Sequence, residues 1–221
     1  MSPGRPAVWV NCAVSVDGRL AYAGGRRARL SSPEDLLRVH RMRASAGAIV
    51  VGVGTVLADD PSLKVRWDLL GETPRPGPIR VVLDSTGRIP EAAQLLDGSA
   101  RTILAVSGRC RRRFPPTVEP LVLGSERVEL PKLWGALAER GVASAMVEGG
   151  GTVIASVLWS GSFDRLTVYV APVVIGGVTA PSLALGPETP DAAGAIPLEL
   201  TGVERLGPGV VLTYRSPRPG R

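Results

Sequence analysis

The sequence predicts an α/β domain with a mixed, mostly parallel β-sheet that is flanked by helices and ends in a C-terminal antiparallel hairpin. Three observations favour this fold: short runs rich in Val, Ile and Leu, helical patterns between several of them, and a Gly-Pro-Gly turn near the C-terminus. Strands that alternate with helices favour parallel pairing, because the chain must cross back before the next parallel strand begins. The 221 residues fit one domain, residues 1–221.

Six apolar runs are predicted to be buried strands. Each run is short and rich in aliphatic side chains, as expected for a strand that is covered on both faces of the sheet. The predicted strands are Ala7 to Val14, Ala48 to Val53, Ile79 to Asp84, Thr102 to Val106, Ala143 to Val147 and Leu166 to Val170.

Three helices are predicted between these strands. Ser32 is followed by Pro33 and two acidic residues, which is typical of a helix N-cap with proline in the first turn. A second helix spans Pro131 to Arg140 and is followed by Gly141, a residue favoured just after a helix. A third helix covers Thr152 to Trp159.

The C-terminal part of the chain predicts the antiparallel hairpin. Val203 to Leu206 and Val210 to Tyr214 are apolar runs on either side of the Gly-Pro-Gly turn. So short a connection joins antiparallel strands, so the sheet is expected to be mixed.

The net charge and the amino-acid composition indicate which kind of ligand the chain binds. The net charge is +6 and the isoelectric point is near 10, which is compatible with either a nucleic acid or a phosphorylated small molecule. Aromatic residues make up only 4% of the chain and the arginines are scattered, so no base-stacking surface is predicted. We therefore expect a small anionic ligand and no nucleic acid.

The apolar segments predict neither a membrane span nor a metal site. The longest apolar runs are too short to cross a bilayer, and the N-terminus lacks a signal-peptide pattern, so we expect a cytoplasmic protein. Cys12 and Cys110 lack the spacing of a zinc or redox pair, and His40 is the only histidine. We expect plain thiols and no bound metal.

Two glycine-bearing bends follow predicted strands. In the first, Gly52 and Gly54 precede a possible short helix, but Leu57 stands where a G-x-G-x-x-G motif has its third glycine, so a simple turn is equally well supported. In the second, Glu148 is followed by Gly149–Gly151, and three glycines in a row favour close approach by a ligand. We predict that both bends meet at the carboxyl edge of the sheet and that one dinucleotide crosses both.

Several segments, in this order, resemble the pyrimidine reductase family of riboflavin biosynthesis, whose fold is similar to that of dihydrofolate reductase. They are NCAVSVDGRLA, LSSPEDLLRVHRMRASAGAIVVGVGTVLADDPSLKVRW, IRVVLDSTGRIP and MVEGGGTVI. The resemblance implies an enzyme that moves hydride from NADPH to the ribose of a phosphorylated ribosylamino-pyrimidine, leaving a ribityl chain. It also implies a homodimer, and the absence of zinc-deaminase motifs implies a stand-alone reductase.

The resemblance assigns roles to particular residues. The positions implied to contact the cofactor are Ala13, Thr55, Asp59, Gly149, Gly150, Gly151 and Thr152. The positions implied to contact the substrate are Asn11, Arg27, Arg43, Leu63, Arg66 and Glu148. Arg43 and Arg66 suit the 5′-phosphate. Arg27 stands where relatives often carry Ser. Asn11 stands where deaminase-fused relatives carry Lys, which favours the 2,5-diamino-pyrimidinone as substrate.

The chemistry implied by the resemblance requires a proton donor, because a cyclic ribosylamine must open to an imine before hydride adds. Glu148 and Asp59 are the candidate acids, and Glu148 is preferred because burial at a strand end can raise the pKa of a carboxyl group. Ser85 with Arg88, and Ser107 with Arg109, follow two strands and suit a 2′-phosphate, which favours NADPH over NADH.

Two other functions stay open at this point. A reductase of the same fold could act on dihydrofolate or on a pyrimidine of specialised metabolism. A chain of this composition could also be a non-catalytic module that binds a ligand or a nucleic acid.

Overall fold

The computed structural model describes residues 4–187 and 191–217, and it places nine of their strands in a single sheet. The strands are β1 (Ala7–Ser15), β2 (Ala48–Gly52), β3 (Ile79–Leu83), β4 (Thr102–Val106), β5 (Val118–Val122), β6 (Ser144–Val147), β7 (Arg165–Ala171), β8 (Glu199–Leu206) and β9 (Gly209–Arg215). The α-helices are α1 (Pro33–Ser45), α2 (Val53–Asp59), α3 (Trp67–Leu70), α4 (Leu130–Glu139) and α5 (Gly151–Trp159).

The strand order is β5-β4-β3-β2-β6-β1-β7-β9-β8. Every pair from β5 to β7 in this order is parallel, whereas β9 runs antiparallel to both β7 and β8. The predicted mixed sheet with a C-terminal hairpin is therefore confirmed. Because β2, β6 and β1 are neighbours in the middle of the sheet, their carboxyl ends and the bends that follow them lie side by side.

Two hydrophobic clusters cover opposite faces of the sheet. Alternate residues of β2 divide between them, with Val50 in the cluster that contains α4 and α5 and Val51 in the cluster that contains α2. All five residues of β2 are buried. This two-sided burial explains why the strands lack the alternation of polar and apolar residues that a half-exposed strand would have.

The predicted helix start at Ser32 is confirmed in atomic detail. The Ser32 hydroxyl accepts a hydrogen bond from the Asp35 backbone N–H at 3.3 Å, and Pro33 is the first residue of α1. The boundary predicted at Val53 is wrong by one residue, because Gly52 ends β2 and Val53 already begins α2.

Strand β5 and helix α3 were not predicted. Pro120 interrupts the apolar pattern of β5, and proline is accepted there because β5 lies at the edge of the sheet, where one side of the strand needs no ladder hydrogen bonds. Helix α3 has only four residues, too few for a periodic pattern.

None of the helices in the described part of the chain combines the length and the apolar character that a membrane span requires. Within the same residues, no three His, Cys, Asp or Glu side chains come together in a way that could hold a metal ion.

Candidate active site

Two adjoining cavities lie at the carboxyl ends of the central strands. The first, here called the glycine cavity, measures about 370 Å³ and is lined by Ala13, Thr55, Asp59, Glu148, the glycines 149–151 and Thr152, among others. The second, here called the arginine cavity, measures about 400 Å³ and is lined by Arg27, Arg43, Thr55, Asp59, Leu63 and Glu148, among others. Thr55, Asp59 and Glu148 line both, so ligands in the two cavities would meet at these residues.

The two glycine-bearing bends lie against each other in the glycine cavity. Gly149 and Gly150 have positive φ angles of 133° and 77°, which side chains other than glycine rarely adopt. A Cβ atom on Gly150 would lie 3.1 Å from the Thr55 hydroxyl oxygen. Helix α5 begins at the next residue, and its first turn leaves backbone N–H groups without intrahelical partners. The absence of side chains thus keeps open a concave surface that suits a phosphate group.

Cys12 lies in the wall of the glycine cavity beside Ala13. Burial raises the pKa of the Cys12 thiol to about 12, so the group is a neutral thiol near pH 7. Cys110 is also a free cysteine. Both findings agree with the prediction of plain thiols.

A bidentate ion pair forms one wall of the arginine cavity. Arg43 Nε donates to Glu148 Oε1 at 2.7 Å, and Arg43 Nη2 donates to Glu148 Oε2 at 2.5 Å. Burial opposes the charge of Arg43, but the adjacent Glu148 carboxylate outweighs it and raises the pKa of Arg43. Both Glu148 oxygens accept hydrogen bonds from the guanidinium, so the carboxylate is fixed in place by a single partner.

Asp59, the last residue of α2, is placed differently from Glu148. Its Oδ1 atom is buried and has no hydrogen-bond partner in the described part of the chain. Burial raises the pKa of the Asp59 carboxyl, and the charge of nearby Arg27 opposes that rise. A carboxyl with a raised pKa that lines both cavities is suited to hold and donate a proton.

Leu63 and Arg27 complete the arginine cavity. Leu63 is buried with a positive φ of 51°, an uncommon conformation for a leucine, which turns its side chain into the wall. Arg27 is exposed.

The model of the RibD C-terminal domain family matches residues 6–212. The chain belongs to the RibD C-terminal domain family. It is 40% identical to the 2,5-diamino-6-ribosylamino-4(3H)-pyrimidinone 5′-phosphate reductase of Archaeoglobus fulgidus, covering 97% of this chain and 100% of that protein. It is 38% identical to the protein of the same name from Methanothermobacter thermautotrophicus, covering 95% and 98%. The solved structure of Acinetobacter baumannii RibD, form 1, has a TM-score of 0.82 at 25% identity, covering 99% of this chain and 60% of that one.

Two of the predicted substrate residues lie outside the walls of both cavities in this RibD-family chain. Arg66 is 57% exposed and forms a surface ion pair with Asp68 at 2.6 Å. Its backbone N–H donates to His40 Nδ1, and burial lowers the pKa of His40, so that the ring is a neutral acceptor. Asn11 accepts a hydrogen bond from Arg38. The roles of Arg66 and Asn11 therefore stay predictions.

The predicted 2′-phosphate residues also lie apart from both cavities. Ser107 Oγ donates to the Ser85 carbonyl oxygen at 2.8 Å, and the Val128 N–H donates to Ser85 Oγ at 3.1 Å. These bonds join the loop after β3 to the loops that follow β4 and β5. The contact of Ser85 and Ser107 with a cofactor stays a prediction.

Asp17 has a structural role that the sequence patterns do not reveal. The Asp17 carboxylate accepts hydrogen bonds from the Ser15 hydroxyl at 2.6 Å and from the backbone N–H groups of Ile175 and Gly176 at 3.0 and 2.7 Å. These bonds anchor the segment after β7, which carries Pro181 and Leu185 into the wall of the glycine cavity. A partner so far away in the sequence gives no local signal.

The structure contains a third cavity, here called the tryptophan cleft, that the sequence did not predict. It measures about 640 Å³ and lies between the start of α4 and one face of α5, with Arg127, Val128, Ser156 and Trp159 among its lining residues. Leu185 lines both this cleft and the glycine cavity, so the two are neighbours.

Proposed function

We propose that this RibD-family chain reduces the ribosyl group of a phosphorylated ribosylamino-pyrimidine to a ribityl group, with NADPH as the hydride donor. The observation that carries the proposal is the junction of the two cavities at Thr55, Asp59 and Glu148, where a cofactor and a substrate would meet. The two archaeal relatives, matched over nearly their whole length, support the 2,5-diamino-pyrimidinone as the substrate.

The glycine cavity fits the nicotinamide and diphosphate part of the cofactor. Its bends keep backbone N–H groups open to phosphate, and its buried wall around Ala13 and Cys12 is uncharged. When bound there, NADPH would supply the hydride. The residues of the chain orient the two ligands and exclude water from the junction.

The adenosine part of the cofactor is assigned to the tryptophan cleft. Thr152 in the glycine cavity and Trp159 in the cleft lie seven positions apart on α5, which corresponds to roughly 10 Å along the helix axis. The Trp159 ring offers a surface for an aromatic base, and the exposed Arg127 can bind a 2′-phosphate. Ser85 does not line the cleft itself, but its hydroxyl oxygen accepts a hydrogen bond from the backbone N–H of Val128, which does.

Replacing Arg127 with Met is expected to raise the KM for NADPH about tenfold and to leave the KM for NADH unchanged, since only NADPH carries the 2′-phosphate. Steady-state kinetics with both cofactors measure the effect, with Arg41→Met as a control at an exposed position of α1. If the KM values for NADPH and NADH changed equally, or if neither changed, the 2′-phosphate would bind elsewhere. The candidates would then be the predicted residues Ser85, Arg88, Ser107 and Arg109.

Catalysis is assigned to the arginine cavity. The ring oxygen of the ribosylamine takes up a proton as its bond to the anomeric carbon breaks, and the nitrogen keeps its own proton, so that a protonated imine forms. Asp59 is the donor that the geometry favours over Glu148, because Glu148 is engaged by Arg43. A hydride from bound NADPH would then convert the protonated imine to the amine of the ribityl chain. The Arg43–Glu148 pair keeps the cavity wall rigid, and Arg27 can bind the 5′-phosphate at the entrance.

The function is tested by incubating the purified protein and NADPH with one candidate substrate at a time. The candidates are the 2,5-diamino-pyrimidinone, the 5-amino-uracil analogue and dihydrofolate. We expect loss of nicotinamide absorbance with the diamino-pyrimidinone and a ribityl product by mass spectrometry. Oxidation with dihydrofolate alone would make the chain a different reductase of this fold. No oxidation with any of them, together with strongly salt-dependent binding to DNA or RNA, would make it a binding module.

A homodimer is part of the proposal. Strand β8 lies at the edge of the sheet and exposes Leu200 and Val203, and an exposed apolar edge strand favours pairing with another chain.

A further inference from the structure

We propose that Arg38 is a positioning residue that turns Asn11 into a hydrogen-bond donor for the base of the substrate. This inference rests on the proposed function and concerns a residue outside both cavity walls. Arg38 Nη2 donates to Asn11 Oδ1 at 2.9 Å. An arginine side chain has only donors, so it fixes which end of the Asn11 amide faces it.

Arg38 is itself held by a chain of contacts that begins at the helix cap. The Ser32 hydroxyl accepts the Asp35 N–H, and the fully buried Asp35 carboxylate accepts Arg38 Nε at 2.8 Å. Arg38 Nη1 contacts the Met42 sulfur at 3.0 Å. With its guanidinium held on three sides, Arg38 cannot rotate away to let the Asn11 amide flip.

The amide nitrogen of Asn11 is therefore turned away from Arg38. In the parallel pairing of β1 with β6, Val10 lies opposite Val147, so Asn11 and Glu148 are the next residues along neighbouring strands and stand on the same face of the sheet. Asn11 is only 6% exposed, and its amide nitrogen has no hydrogen-bond partner among the contacts of the described residues. The register therefore places Asn11 next to Glu148, the carboxylate that Arg43 holds in place.

This arrangement selects a particular edge of the substrate. A donor beside an acceptor is complementary to a base that presents a ring nitrogen or carbonyl oxygen next to an N–H group. A pyrimidinone has such an edge. Asparagine held in this orientation offers the same kind of group that a lysine would offer. The residue type at position 11 then does not by itself distinguish the diamino-pyrimidinone from the amino-uracil.

The experiment is a double-mutant cycle with Arg38→Lys and Asn11→Ala, measured by kcat/KM for the pyrimidine. Lysine keeps a charge beside Asp35 but cannot bind Asp35 and Asn11 with a planar fork. We expect each single variant to lose about tenfold, through the KM of the pyrimidine and with the KM of NADPH unchanged. We expect the double variant to equal Asn11→Ala alone, because Arg38 acts through Asn11.

A third variant, Asn11→Asp, guards against misfolding in Arg38→Lys. It leaves Arg38 its acceptor but replaces the N–H donor with a carboxylate oxygen, so we expect at least the loss of kcat/KM seen in Asn11→Ala, in a protein whose cooperative thermal transition shows that it is folded. Wild-type KM in Asn11→Asp, or an Arg38→Lys effect of equal size in the Asn11→Ala background, would overturn the inference while the reductase function stands. A wild-type protein that is inactive with both pyrimidines would overturn both.

Discussion

Replacing Asp59 with Asn is expected to lower kcat by about 10²- to 10⁴-fold while the affinity for NADPH stays within about twofold, since general acid catalysis contributes on that scale. Asparagine has nearly the same shape as aspartate but cannot donate an acidic proton to the opening ring. Asp59 lines both cavities, and its buried Oδ1 atom has no hydrogen-bond partner among the described residues. Single-turnover kinetics measure the chemical step, and fluorescence titration measures NADPH binding.

The pH dependence provides a second measurement of the same role. A general acid must be protonated, and burial raises the pKa of Asp59, so the wild-type kcat is expected to be constant at low pH and to fall as the pH rises through that raised pKa. Arg27→Ser removes the charge that opposes the rise, so the decrease should move to higher pH. Asp68→Asn, a change at an exposed surface pair, is the control.

Two outcomes would contradict the assignment to Asp59. A kcat in Asp59→Asn within about threefold of wild type would exclude it as the proton donor. A large loss in Glu148→Gln at unchanged NADPH affinity, with Asp59→Asn nearly active, would return the role to Glu148. From the sequence, Glu148 was the preferred proton donor because it follows a buried strand. No local pattern indicates that Arg43, more than a hundred residues earlier, binds both oxygens of Glu148.

The fold could be predicted from local patterns because most of its determinants are local. The buried strands are continuous apolar runs, and the cap at Ser32 requires only the residues that follow it. The elements that were missed depend on neighbours far along the chain. Strand β5 is stabilised by pairing with β4 and not by its own pattern, which Pro120 interrupts.

In the candidate site, too, the features that local sequence determines could be predicted, and those that depend on distant residues could not. The glycine bends could be found because consecutive glycines before a helix are costly unless a ligand approaches. Ser85 and Ser107 were singled out by their places after two strands, yet their polar groups bond to each other and to Val128. Position after a strand places a residue at the correct edge of the sheet but does not say which way its side chain turns.

Replacing Arg43 with Met is expected to lower the free energy of unfolding by about 3 kcal/mol and to abolish most of the activity. The Glu148 side chain is only 8% exposed, and removing its partner leaves a buried carboxylate without compensation. Thermal and denaturant unfolding measure the loss. Arg101→Met, which removes one partner of an exposed pair with Glu119, is the control and should cost at most about 1 kcal/mol.

The double variant Arg43→Met with Glu148→Leu separates the two roles of the pair. Replacing both charges with apolar groups of similar size removes the unpaired carboxylate, so stability should return to within about 1 kcal/mol of wild type. Activity should not return, because the substrate cavity then lacks its charged wall.

If Arg43→Met were as stable as Arg101→Met, the pair would be open to water in solution and could not hold Glu148 rigidly. If the double variant regained activity, the pair would stabilise the fold without acting on the substrate, and the arginine cavity would have to bind the pyrimidine through Asp59 and Arg27 alone.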